Sequence, residues 1–92
     1  MNLDSIGTNI RKYRLERKMR QEDLAEKTGL SVNYIGMIER GEKIPALETF
    51  IRIINALGVS ADMVLLDVLD TGYTVESSIL SEKLNNISAK DR

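Results

Sequence analysis

Gly29, Gly41 and Gly58 each stand directly behind a stretch whose apolar residues recur at helical spacing. Glycine is the usual residue just past a helix end, because the backbone there turns left-handed and a Cβ would clash. No segment alternates apolar and polar residues long enough for a strand. Proline occurs once, at Pro45. The chain therefore reads as all-α, a series of short helices separated by glycine stops.

The first helix is predicted from about Asp4 to Lys18, with Ile6, Ile10 and Tyr13 facing inward, Leu3 and Met19 closing its ends, and Leu15 off the stripe. A second, from about Gln21 to Thr28, buries Leu24 and Ala25. Leu30 packs inward after Gly29, and Ser31 caps a third helix from Val32 to about Arg40. The fourth spans about Leu47 to Leu57 on the stripe Leu47, Phe50, Ile51, Ile54 and Leu57. Ser60 caps a fifth, from Ala61 to about Leu69. A weaker sixth pattern follows Gly72. The division is a domain over residues 1–70 and a helical tail over 71–92. Within the tail, Ser88-Ala89-Lys90-Asp91 has the form of a helix start with only Arg92 behind it, which suits either a frayed end or a truncated chain.

Ninety-two residues suffice for one domain and one small core. With three Tyr and one Phe, aliphatic side chains must build that core. The absence of Cys and His excludes disulfides, thiolate–zinc sites, imidazole bases and cysteine nucleophiles. Asp62, Asp67 and Asp70 share no face on which to hold a metal, and no phosphate-cradling glycine loop occurs. The expectation is a cytoplasmic protein that is no enzyme, with no cofactor, no metal and no membrane segment. Charge is uneven beneath a net −1. Residues 1–20 carry six basic and two acidic groups; residues 62–92 carry three basic and six acidic. Such a split suits either an anionic partner met by the basic end or an ordinary solvated face.

Helices two and three, joined by a tight glycine turn, have the size and spacing of a helix-turn-helix. At about 100° per residue, Val32, Asn33, Gly36, Met37 and Arg40 share one arc of helix three, while Ile35 and Ile38 point the opposite way. No acidic residue lies on that arc. The amide of Asn33 suits adenine N6 and N7, Arg40 suits guanine or a phosphate, and Val32 suits a thymine methyl.

The run Gln21-Glu22-Asp23-Leu24-Ala25-Glu26-Lys27-Thr28-Gly29-Leu30-Ser31, followed by Tyr34-Ile35-Gly36-Met37-Ile38-Glu39-Arg40-Gly41, resembles the Cro/phage-repressor type of helix-turn-helix, the xenobiotic-response-element family. Pro45-Ala46-Leu47-Glu48-Thr49 and Ala56-Leu57-Gly58-Val59-Ser60 continue the likeness, which covers about Ile6 to Leu66. The resemblance implies a five-helix repressor-like domain that binds double-stranded operator DNA as a homodimer, in a bacterium or phage. Each third helix would enter the major groove on an inverted repeat, about 34 Å from its partner. Regulation would most simply be repression, with activation through a surface contact as the other case.

The resemblance also places base-reading positions at Val32, Asn33, Gly36 and Met37, and backbone-contacting positions at Gln21, Tyr34, Arg40 and, in the next loop, Lys43. Each group has a second reading: the base-reading set as an ordinary exposed helix face, Gln21 as a plain first-turn polar residue, and Tyr34 as a ring packed on the first helix. Arg14 and Glu39 match a pair that forms an internal salt bridge in relatives. The sequence departs from the family at Arg20, where a Thr or Ser usually caps the second helix; the lost cap costs about 1 kcal/mol, and Arg20 can instead reach a phosphate. Ala46 likewise replaces a common Ser cap. With few hydrogen-bonding groups on the arc, an A·T-rich half-site is expected. Two surfaces remain for dimerisation or for a protein antagonist. One is the end of the fifth helix, Val64, Leu65, Val68 and Leu69. The other is the tail stripe Val75, Ile79, Leu80, Leu84 and Ile87, which would also dock a partner if the chain were an antitoxin subunit or co-regulator, or else fold back onto the fifth helix.

Overall fold

Serine hydroxyls start two of the helices in the computed structural model, which describes residues 1–68. Ser31 Oγ accepts the N–H of Tyr34 at 3.0 Å, and Ser60 Oγ accepts that of Met63 at 3.3 Å. Each satisfies a donor that the first turn leaves without an intrahelical partner. The described residues form α1 (Asp4–Glu16), α2 (Gln21–Thr28), α3 (Val32–Glu39), α4 (Leu47–Leu57) and α5 (Ala61–Leu65). Gly29 and Gly58 close α2 and α4 at φ 74° and 70°, in the left-handed region.

α1 stops two residues before the predicted end. Lys18 takes φ 57°, the Lys18 N–H bonds to Leu15 O at 2.9 Å, and the Met19 N–H bonds to Arg14 O at 3.1 Å. This is the paired-bond helix stop usually built on glycine, here built on lysine. α5 also ends early, at Leu65. Asn9 Nδ2 donates to Val64 O at 2.7 Å, and Asn2 N–H donates to Val68 O at 2.6 Å, so the N-terminal end of the chain takes the carbonyls a longer helix would have used.

Side chains from all five helices make one core, in which Ile10, Leu24, Ile35, Ile38, Ile53, Leu57 and Val64 are fully buried. The α4 stripe differs from the predicted one. Phe50, Ile53, Ile54 and Leu57 face inward, while Leu47 and Ile51 are 73% and 45% exposed. The inward set has spacing i, i+3, i+4, i+7, as good a helical stripe as the predicted one, and the α1, α2 and α5 faces around it select it. Leu3 is exposed at the start of α1 rather than closing it, whereas Met19, Tyr13 and Leu30 pack partly against the core.

α1 and α3 touch through backbone. A Cβ placed on Gly7 would lie 2.0 Å from Ile38 O, so the two helices approach closer than any side chain permits. This contact fixes the back of α3 and leaves its other face outward.

Candidate nucleic-acid interface

α3 is anchored by Ile35 and Ile38, both buried, and its opposite side carries the residues predicted to share an arc. Val32, Asn33 and Arg40 are exposed, and Met37 is half-buried. Asn33 Nδ2 lies 3.8 Å from Met37 Sδ, one turn along the helix. Gly36 is covered, but by Arg40: the guanidinium folds back one turn and lies over it. Arg40 Nε in turn pairs with the carboxylate of Glu42 from the following loop. The arc free of acids along α3 therefore has a carboxylate beside it. The helical projection missed this because Glu42 lies beyond the helix end.

Tyr34 sits half-buried against the core, and Lys43 is exposed in the loop after α3. Gln21, at the first turn of α2, is half-buried and faces α3: its Nε2 donates to Glu39 Oε1 at 3.1 Å. That link was not foreseen. Glu39 is also held by Arg14, with Nε to Oε2 at 2.7 Å and Nη2 to Oε1 at 2.9 Å, a bidentate pair buried between α1 and α3. Arg14 Nη1 donates to Met19 O at 2.8 Å. The Arg14–Glu39–Gln21 network thus joins α1, the α1–α2 turn, the start of α2 and the end of α3, and every buried side-chain polar atom among the described residues is satisfied.

The start of α2 lacks a side-chain cap, since Arg20 has no acceptor. Asp23 compensates: its Oδ2 accepts the Arg20 N–H at 2.7 Å, the reciprocal half of a capping box. The Arg20 side chain, largely exposed, also lies 3.4 Å from Asp23 Oδ1 and 3.8 Å from Glu22 Oε1. Hydrogen bonds from the Arg20 N–H, and then from its guanidinium, hold the Asp23 carboxyl below its ordinary range, and Asp23 raises Arg20 in return. Two cations flank the Tyr13 ring on α1, Lys12 Nζ at 5.2 Å and Arg17 Cζ at 5.7 Å from its centre.

Of the apolar surface predicted at the end of α5, two residues are taken up by the core. Val64 and Val68 belong to the core, because α5 packs on α1 with that side inward, and Leu65 is half-buried. Leu69, Val75, Ile79, Leu80, Leu84 and Ile87 lie outside the described residues.

A short helix, a glycine turn and a second helix with a solvent-facing polar side, carried on a five-helix body, define a helix-turn-helix domain. The helix-turn-helix family model matches residues 10–64, and the chain belongs to that family, of the xenobiotic-response-element type. The immunity repressor of Bacillus phage phi105 is 38% identical over 61 residues, which span 66% of this chain and 42% of the phage protein, less than half its length. Control protein C.SmaI of Serratia marcescens is 40% identical over 60 residues, 65% of this chain and 71% of that one. Among solved structures, the restriction-modification controller C.AhdI from Aeromonas hydrophila is similar with a TM-score of 0.65 at 29% identity, covering 67% of this chain and 94% of that chain. The controller C.Esp1396I, solved as a tetramer on its natural 35 base-pair operator, is similar with a TM-score of 0.63 at 36% identity, covering 68% and 83%.

Proposed function

We propose that this protein is a sequence-specific DNA-binding regulator of transcription that lays α3 in the major groove. The observation that carries it is the two-sided character of α3: Ile35 and Ile38 fix it from behind, and Val32, Asn33, Met37 and Arg40 stand on the other side. Val32 and Asn33 occupy its first turn, the part of a recognition helix that reaches base edges. Phosphates on either side are met by Arg20, Gln21, Tyr34 and Lys43. Glu39 takes one N–H of the Gln21 amide, and the second N–H of the same nitrogen is the donor for a phosphate. Similarity to a controller solved on its operator supports the same use of the fold. The protein works where the DNA is, in the cytoplasm of a bacterium or a phage-carrying cell.

DNA of an inverted-repeat operator asks for two copies of α3. The face we assign to the second copy is α4. Leu47 and Ile51 are exposed one turn apart, with Ile44 exposed just before them, and Glu48 and Arg52 lie along the flank of the same helix. Across a two-fold axis perpendicular to α4 the two helices run antiparallel, which brings Glu48 of each copy beside Arg52 of the other.

Titration of duplexes selected from a random library, at several salt concentrations, tests the function. Log affinity is expected to fall linearly with log salt, and Asn33→Ala is expected to flatten the preference among sequences by about 1–3 kcal/mol. Absence of salt-dependent binding to any selected duplex would overturn the proposal.

A further inference from the structure

Arg40 matches a backbone-contacting position of the family, yet three features of its surroundings suit a different task. Its side chain runs back toward the N-terminal half of α3, the direction in which helical side chains lean. A Cβ on Gly36 would meet Nη1 at 2.8 Å, Cζ at 3.6 Å and Nη2 at 3.8 Å, so the whole guanidinium lies over the bare backbone that glycine leaves. Glu42 engages Nε, the inner nitrogen, rather than the two outer nitrogens that lie over Gly36. An arginine already paired with a carboxylate adds little net charge toward phosphates. One whose Nε is held by a carboxylate keeps Nη1 and Nη2 as a pair of donors, and that pair matches the two acceptors N7 and O6 of a guanine.

We infer that Arg40 reads one guanine per half-site, lying in the gap above Gly36, with Glu42 as the positioning residue that braces it. Gly36 is then a slot for an arginine rather than a point of direct approach to a base. The half-site is A·T-rich with a single fixed G·C pair. The inference rests on α3 being the groove helix, and the experiment separates the two.

Duplexes are selected from a random library with the full-length protein. Binding is then measured for the selected duplex, for versions in which each guanine is replaced by 7-deazaguanine or by adenine, and for an unrelated duplex, across a salt series. The wild-type protein is expected to lose about 10- to 100-fold when one particular guanine in each half-site is changed. Arg40→Gln abolishes that loss and weakens the selected duplex far more than the unrelated one. Glu42→Gln lowers the guanine preference several-fold yet tightens binding to the unrelated duplex, because it removes a negative charge near phosphates without removing the reader. That split is one a merely structural role for Glu42 does not produce. If Arg40→Gln instead weakens every duplex alike and reduces the salt slope by about one, Arg40 is a phosphate contact and the inference falls. It falls equally if the selected half-sites contain no fixed guanine. If the wild-type protein shows no salt-dependent binding to any duplex, the underlying assignment of α3 fails instead.

Discussion

At the residue scale the buried carboxylate of Glu39 has the largest consequences. It receives Arg14 through two hydrogen bonds and Gln21 through a third, in a place closed to water. Removing one partner strands the other charge, so Arg14→Ala or Glu39→Ala is expected to cost about 3–5 kcal/mol in urea denaturation. The joint replacement Arg14→Met with Glu39→Leu exchanges the pair for apolar volume and should cost far less than either single change. A much smaller effect belongs to Asp23. Its carboxyl is held below the ordinary value chiefly by the Arg20 N–H, so it stabilises the fold where the unfolded carboxyl is also ionised and loses that contribution as pH falls through the folded value. Thermal midpoints of wild type and Asp23→Ala should therefore differ most above about pH 6 and converge as pH drops below about 4. A difference that persisted unchanged at the acid end would show that the carboxylate does not hold the start of α2.

At the scale of elements, the joint between α1 and α3 has no room for a side chain. Gly7→Ala puts a methyl into Ile38 O, and the helices must separate; the expected cost is about 1–3 kcal/mol by denaturation, despite alanine's better helix propensity. At the other end of α1, Lys18 holds a left-handed conformation that costs a non-glycine residue about 1 kcal/mol. Lys18→Gly should raise stability, against the usual sense of glycine substitutions. Both effects show where the sequence stopped being legible. Spacing located all five helices, and the glycine stops at Gly29 and Gly58 are where they were expected, because local backbone preference decides them. Which stripe of α4 turns inward was not decidable locally. Leu47 and Ile51 are as apolar as Ile53, and only the neighbouring helices choose between them. The candidate interface divides the same way. Its α3 residues follow from helical period, while Glu42 and the Gln21–Glu39 link depend on how the loop and α2 return to α3, distances that no periodicity encodes.

For the whole molecule, the proposed dimer meets its clearest test in charge. The exposed α4 face is apolar along Leu47 and Ile51 and carries Glu48 and Arg52 on one flank, where they pair within the helix at 2.9 Å. Exposed to solvent, that internal pair is worth only a few tenths of a kcal/mol, so either residue can be changed without unfolding the domain. Across an antiparallel two-fold contact the same residues meet their counterparts in the partner. Glu48→Arg makes this flank all positive and Arg52→Glu makes it all negative, so each variant alone should sediment as monomer at concentrations where the wild type is dimeric. Mixed in equal amounts, the two have complementary flanks, and a heterodimer should form and regain binding to a two-half-site duplex. A face covered by the chain's own residues 69–92 predicts something else: neither variant changes mass, and mixing has no effect. That result would remove α4 from the interface and leave the operator to be spanned some other way.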